Sequence, residues 1–225
     1  MPDAAAARID GPDSFAEAFK VPRETIHRLD LYAEVLSHWQ KTTNLVAPST
    51  LSSLWSRHFA DSAQLLNLAR GARLWLDLGS GAGFPGLVIA ILGSGIPAFR
   101  MHLVEANAKK CAFLAEVVRA TNAPVEIHPV RIEDFAASAD SIKPDIVSAR
   151  ALAPLPRLLG YAAPFFGAET RGLFLKGREA EEEVAAARAV WAADFHLHPS
   201  LTTREGKIVE VSDIGELSAL GAAGS

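Results

Sequence analysis

The chain has 225 residues and a mass of 24.0 kDa, with 49% apolar and 21% charged residues, ordinary values for a soluble globular protein able to bury one sizeable core. A formal net charge of −4 excludes a chain-wide basic nucleic-acid footprint, so any RNA contact must come from a local cluster of Lys and Arg. A single cysteine, Cys111, excludes an internal disulfide and a cysteine-based zinc site; the expectations are no metal, no membrane span, no secretory signal, and a cytoplasmic monomer.

Residues 1–13 read as a mobile tail. From Ser14 to about Gln40, the spacing of Phe15, Phe19, Ile26, Leu29, Tyr32, Leu36 and Trp39 predicts two helices parted at Pro22. After a linker over residues 42–50, with Ser49 or Thr50 as cap, one further helix is expected through Leu51, Trp55, Phe59 and Leu68 to about Gly71. Strands are expected at 74–78, 100–104, 125–129, 146–149, 172–175, 195–199 and 207–211, and helices at 86–92, 107–121, 155–163 and 179–193. Cys111 is expected to pack against the sheet. This alternation implies an α/β, Rossmann-like, mostly parallel sheet with helices on both faces; the short turn at 202–206 makes the last strand antiparallel. The implied organisation is a tail and helical cap over 1–70, a Rossmann-like domain over 71–215 and a flexible tail over 216–225.

The stretch that bears on chemistry is Leu76-Asp77-Leu78-Gly79-Ser80-Gly81-Ala82-Gly83-Phe84-Pro85-Gly86, a glycine loop between an apolar strand and an apolar helix. A dinucleotide fingerprint requires a third glycine where Phe84 stands. Asp77, two residues before the loop, would also repel a pyrophosphate seated on a helix N-terminus. It suits the cation of S-adenosyl-L-methionine instead, with the loop N–H groups serving that ligand's carboxylate. In an open parallel sheet ligands lie beyond the carboxyl ends of the strands. Glu105, after the second strand, is placed to accept from ribose hydroxyls. The loop Val130–Phe135 is placed for the adenine ring, with Ile132 packing on it and backbone near Glu133 pairing with its edge.

Arg150, ending the fourth strand, can meet the methionine end of the cofactor, an RNA phosphate, or an internal acid such as Asp77. His58 and Asp61 share a helix face and can hydrogen-bond each other, either as a structural pair or as the roof of the active site, with Arg57 pointing elsewhere. Lys176 and Arg178, with Arg57, Arg150 and possible help from Lys109 and Lys110, offer the local positive patch that net charge hides. Glu179, Glu181, Glu182 and Glu183 read as first-turn acids favouring a helix dipole.

With these segments in this order, Leu76–Gly86, Arg57–Ser62, Val130–Phe135, Ser148–Leu152 and Leu175–Gly177, the chain resembles the bacterial 16S rRNA guanine-N7 methyltransferases, the RsmG or GidB family, from about Asn44 to Arg178. The resemblance implies a class I S-adenosylmethionine-dependent methyltransferase fold with an N-terminal helical extension. It implies cofactor contacts at Gly79, Phe84, Ile132, Glu133 and Arg150, with Glu105 as the ribose acid; the reading of the loop residues themselves adds Asp77, Gly81 and Gly83. The implied substrate is guanine 527 in the 530 loop of 16S rRNA, free or in the 30S subunit. Val46 and Ala106 stand where the family commonly has a hydroxyl. Guanine N7 presents a lone pair with no proton to remove, so orientation by Arg57, His58, Asp61, Arg150 or Lys176, rather than a general base, is the expected catalytic contribution. The alternatives are a methyltransferase of a protein or small molecule, a non-catalytic RNA-binding assembly factor and, less favoured, a nicotinamide oxidoreductase.

Overall fold

The computed structural model describes residues 9–138 and 142–216; residues 1–8 and 217–225, most of the two expected tails, lie outside the described residues. Among the described residues, one seven-stranded sheet is formed by β1 (Leu74–Leu78), β2 (Arg100–Val104), β3 (Val125–His128), β4 (Ile146–Arg150), β5 (Arg171–Lys176), β6 (Trp191–Pro199) and β7 (Lys207–Glu216). Its spatial order is β3-β2-β1-β4-β5-β7-β6. The first five strands are parallel, and β7 runs antiparallel to both β5 and β6. Strand order reverses between β1 and β4, which creates a crevice at their carboxyl ends.

The period of two along each strand sorts side chains into two cores. Trp75, Met101, Leu103, Ile146 and Leu173 face one core, shared with α1 (Pro12–Phe19), α2 (Arg23–Trp39), α5 (Gly86–Gly93) and α6 (Ala108–Thr121). Leu76, Leu78, Val104, Val147 and Phe174 face the other, with α7 (Ile132–Ser138), α8 (Leu155–Ala162) and α9 (Ala180–Arg188). Apolar all round, α5 is almost entirely buried, and each of its large aliphatic side chains contributes about 1.5–3 kcal/mol by burial. In α2, Leu29, Tyr32 and Leu36 form a helical stripe toward the first core. Trp39 locks α2 onto α6 through its Nε1–H, which donates to Glu116 at 3.0 Å. α6 itself starts at Asn107, whose side chain accepts from the N–H groups of Lys109 and Lys110.

Several boundaries differ from expectation. α1 begins at Pro12, inside the expected tail, because proline is favoured in a first helical turn. The helix expected over 51–71 is instead a 3₁₀ segment (Pro48–Ser53), a π-helical turn (Trp55–Ala60), and the short α3 (Asp61–Ala63) and α4 (Leu65–Leu68). The expected adenine loop is mostly helical, since α7 opens at Ile132 and Phe135 packs into the second core. α9 stops at Arg188 and β6 starts at Trp191, whose ring closes that core, so the expected helix ran too long. β7 continues to Glu216, past the expected end at Val211, because β6 pairs with it as far as Trp191. Cys111, half-buried, donates from Sγ to the Glu105 carbonyl at 3.1 Å rather than packing on the sheet.

Candidate active site

Gly79, Gly81 and Gly83 all have positive φ, at 65°, 56° and 87°, so the chain leaves β1 in a tight left-handed path. Their surroundings differ. A Cβ at Gly83 would lie 2.4 Å from Leu87 Cδ1 and 2.8 Å from Tyr32 Oη, whereas one at Gly81 would meet only the Gly79 carbonyl, at 3.7 Å. Gly83 therefore packs against α2 and α5, and Gly81 leaves open space for a ligand. Tyr32 Oη donates to the Ala82 carbonyl and ties the loop to α2.

The loop N–H groups are more committed than expected. Those of Gly79 and Ser80 donate to the Val104 carbonyl at 2.9 and 3.1 Å, and that of Gly83 to the Ser80 carbonyl. The Gly81 N–H donates to Glu105 Oε2 at 2.9 Å, while Glu105 Oε1 accepts from the Asn107 N–H at 2.8 Å. Glu105 thus stands at the end of β2, held over the open glycine.

Asp77 is fully buried on the α5 side of the sheet. Its Oδ1 accepts from Ser148 Oγ at 2.7 Å, and its Oδ2 has no hydrogen-bond partner. Burial pushes its carboxyl up to about 6, against the opposing pull of the Ser148 and Ser80 hydroxyls, the Gly86 N–H and the Arg150 charge. A buried, unpaired carboxylate oxygen next to an open glycine loop fits a cationic ligand group and disfavours a phosphate.

Arg150 makes none of its recorded hydrogen bonds to Asp77. Its guanidinium donates to His58 Nδ1 at 2.8 Å and to the Arg57 carbonyl at 3.1 Å, approaches Asp61 Oδ2 at 3.5 Å, and lies 4.9 Å from the centre of the Phe84 ring. His58 and Asp61, expected as a direct pair, are instead bridged by this arginine, because the π-helical turn and the start of α3 aim them both at the end of β4. The bridge sets the tautomer of His58. Guanidinium only donates, so Nδ1 carries the lone pair and Nε2–H donates to Thr50 Oγ1 at 2.8 Å, whose own proton goes to the Ala47 carbonyl. Burial, then the charges of Arg150 and Arg57, hold His58 down at about 3. Asp61 Oδ1 accepts from Gln64 Nε2 at 2.9 Å and from Thr202 Oγ1 at 2.8 Å, so the β6–β7 turn is clasped to the helical segment.

Phe84 is buried, between Tyr32 at 5.3 Å and the His58 ring at 4.7 Å. Ile132 is buried at the start of α7, with Glu133 in the same turn. Lys176 is not a free cation: its Nζ donates to Glu183 Oε2 at 2.7 Å and to the Ala153 carbonyl at 2.6 Å. Glu183 also accepts from the Leu155 N–H at 2.6 Å, so it anchors α8 as well as α9, beyond the dipole role expected for it. Lys109 and Lys110 stand at the start of α6 and do not line the cleft described next.

A cleft of about 1020 Å³ opens at the carboxyl ends of β4 and β5. Arg57, His58, Asp61, Arg150, Leu152 and Lys176 line it, as do Arg178, Arg204 and Lys207. The glycine loop lies beside this cleft rather than in it. The two meet at Leu152, which lines the cleft and sits 2.6 Å from where a Gly79 Cβ would be. Ala151, just before it, holds a left-handed φ of 53° that turns the chain there. Gln64 and Thr202 carry no site signal in the sequence, Thr50 and Glu183 read there only as a helix cap and a first-turn acid, and Ser148 and Leu152 stand inside a strand-end segment that does carry a local signal.

A mostly parallel sheet with antiparallel β7, helices on both faces and a glycine loop at the β1–β4 switch is the class I S-adenosylmethionine-dependent methyltransferase fold. Solved structures agree at this level. An O-methyltransferase from Bacillus cereus in complex with SAH matches with a TM-score of 0.57 and 16% identity, over 82% of this chain and 91% of that one. A mutant of MtNAS in complex with S-adenosylmethionine matches with a TM-score of 0.53 and 16% identity, over 92% and 86%. Residues 25–209 match the family GidB, rRNA small subunit methyltransferase G, and the chain belongs to that family. Proteins named ribosomal RNA small subunit methyltransferase G from Parvibaculum lavamentivorans and Methylorubrum populi are 52% and 50% identical to it. Each alignment covers 88% of this chain, and 88% and 92% of the respective relative.

Proposed function

We propose that this protein transfers the methyl group of S-adenosyl-L-methionine to N7 of guanine 527, in the 530 loop of 16S rRNA, by direct in-line transfer without a general base. The observation that carries this reading is the junction at Leu152, where a glycine loop flanked by an unpaired buried carboxylate abuts a basic cleft. Family membership and the names of the relatives support small-subunit ribosomal RNA as the acceptor, and the resemblance drawn from the sequence points to the guanine N7 within it.

The residues fit the cofactor. Asp77 supplies negative potential under the loop, Gly81 leaves room for close approach, and Glu105 is placed to take ribose hydroxyls. Ile132 and Glu133 border the adenine side, and Gly79, Gly83, Phe84 and Arg150 hold the loop and the strand ends in place. When bound, S-adenosylmethionine supplies an electrophilic methyl group on a sulfonium. The protein's task is then to align the guanine N7 lone pair with that methyl.

The state of His58 supports a reaction without a base. Its lone pair is engaged by Arg150 and its proton by Thr50, so it cannot accept a proton without breaking the network that shapes the cleft. Arg57, Arg178 and Arg204 are exposed at the cleft, beside Lys207, and offer phosphate contacts that the net charge of −4 conceals. A guanine N7 within an A-form helix is shielded in a narrow groove, so a loop or splayed nucleotide is the substrate.

The test is incubation of the full chain with labelled S-adenosylmethionine and, in separate arms, 30S subunits, naked 16S rRNA, total protein and a small-molecule extract. Label in rRNA from either of the first two arms is expected. Label confined to protein or metabolites, or RNA binding without transfer, would overturn the reading.

A further inference from the structure

Away from the cleft, β2 and β3 bring His102, Glu126 and His128 together on the face that carries α7. His102 is directly opposite Glu126 in the parallel register, and His128, two residues on, points to the same side. One ligand atom from each lies within 4.8 Å of the others, and among the described residues no other group of three His, Cys, Asp or Glu side chains converges in this way. His102 Nδ1 is 2.9 Å from His128 Nε2, and the Glu126 carboxylate oxygens are 3.7 and 3.9 Å from those two nitrogens. The ring planes are only 14° apart with centres at 5.2 Å, so the nitrogens meet nearly edge to edge.

We infer that these three side chains form a Zn²⁺ site with one coordination position open to solvent. The two nitrogens are 2.9 Å apart and each has a Glu126 carboxylate oxygen at 3.7 or 3.9 Å, separations close to the ligand–ligand edge of about 3.4 Å around a four-coordinate zinc with bonds of about 2.1 Å. Tetrahedral ligation requires the two nitrogens to part to about 3.3 Å and both rings to turn until their lone pairs meet at the ion. Two neutral imidazoles and one carboxylate are a borderline ligand set suited to zinc rather than to magnesium or calcium. Ligation costs no net proton: the hydrogen shared between the rings moves to the outer nitrogen of the ring that carried it, leaving both inner lone pairs for the metal.

Access and setting agree with this assignment. The two histidine side chains are 12% and 16% exposed, whereas that of Glu126 is 65% exposed and marks the solvent side. His128 packs against Phe135 of α7 at 4.4 Å, and its carbonyl accepts from the Glu105 N–H at 3.1 Å. A bound ion would therefore pin the edge strand β3 to β2 directly beneath Glu105 and α7. The ligands come from two strands, 24 residues apart at their nearest in sequence, which is why no metal motif is legible along the chain.

The test uses the full chain, stripped with a chelator and titrated with Co²⁺ alone, then with Zn²⁺ as competitor. The expected result is one equivalent of Co²⁺ with the visible absorption of a four-coordinate ion, displaced by Zn²⁺, and a higher Tm with Zn²⁺. His102→Ala and His128→Ala should abolish both signals. Glu126→Gln, a change at an exposed side chain that leaves the fold intact, should weaken binding about tenfold or more, since even outer-shell partners of a metal contribute that much. His198→Ala, at the separate His198–Glu210 pair, should change neither signal. No absorption in the native protein, or signals that persist in His102→Ala and Glu126→Gln, would leave a plain histidine–histidine hydrogen bond and overturn the inference.

Discussion

At the residue scale, neighbouring glycines of one loop do different work. Gly81→Ala forces an alanine into a left-handed conformation at about 1–2 kcal/mol but meets no side chain, so the fold should survive while S-adenosylmethionine affinity falls more than tenfold. Gly83→Ala adds overlap with Leu87 and Tyr32 to the same backbone cost and should lose at least about 3 kcal/mol of stability. Urea unfolding and titration calorimetry on both variants check this; equal stabilities would contradict it. Asp77 supplies a second prediction. Its folded pKa, about 6, stands above the ordinary 3.8, so its contribution to stability is full below about pH 4 and is lost as pH rises through 6. Asp77→Asn removes that titration. The variant should gain about 2–3 kcal/mol on the native protein between about pH 4 and pH 8 in unfolding free energy, while losing cofactor affinity. A stability difference that stays flat with pH would contradict the buried, unpaired carboxylate.

At the scale of elements, the wall of the cleft depends on Glu183, which joins α9 to Lys176 of β5 and to the first turn of α8. Glu183→Ala leaves a nearly buried lysine unpaired and should cost about 3–5 kcal/mol. The double change Lys176→Met with Glu183→Leu should recover most of that loss, whereas strictly additive losses would argue against the pair. Only half of this pair is legible along the chain. Glu183 was legible as a first-turn acid, but its partner depends on α9 packing beside β5. The sheet was legible because each strand is a short apolar run between turn signals. α7 was not, because seven residues carry too little periodicity and Phe135 is recruited by the second core. The glycine loop, Glu105 and Arg150 stood out as strand-end features. The Thr50–His58–Arg150–Asp61–Thr202 network did not, since its members are spread over more than 150 residues and joined only by the fold.

At the scale of the whole molecule, an acidic chain presents a locally basic cleft, and the cleft meets the glycine loop at Leu152 and, through His58 and Arg150, at Phe84. In the proposed reaction Arg57, Arg178, Arg204 and Lys207 of the cleft take the RNA backbone, while Asp77, Glu105 and the glycine loop take the methyl donor. In that proposed reaction the methyl group passes between these halves to a ring nitrogen that needs no deprotonation. The most direct measurement is transfer from labelled S-adenosylmethionine to 30S subunits or 16S rRNA, followed by digestion to nucleosides and chromatography against methylated standards. The label should run with N7-methylguanosine, and Asp77→Asn and Gly81→Ala should reduce it. Label in any other nucleoside, or none in RNA at all, would contradict it.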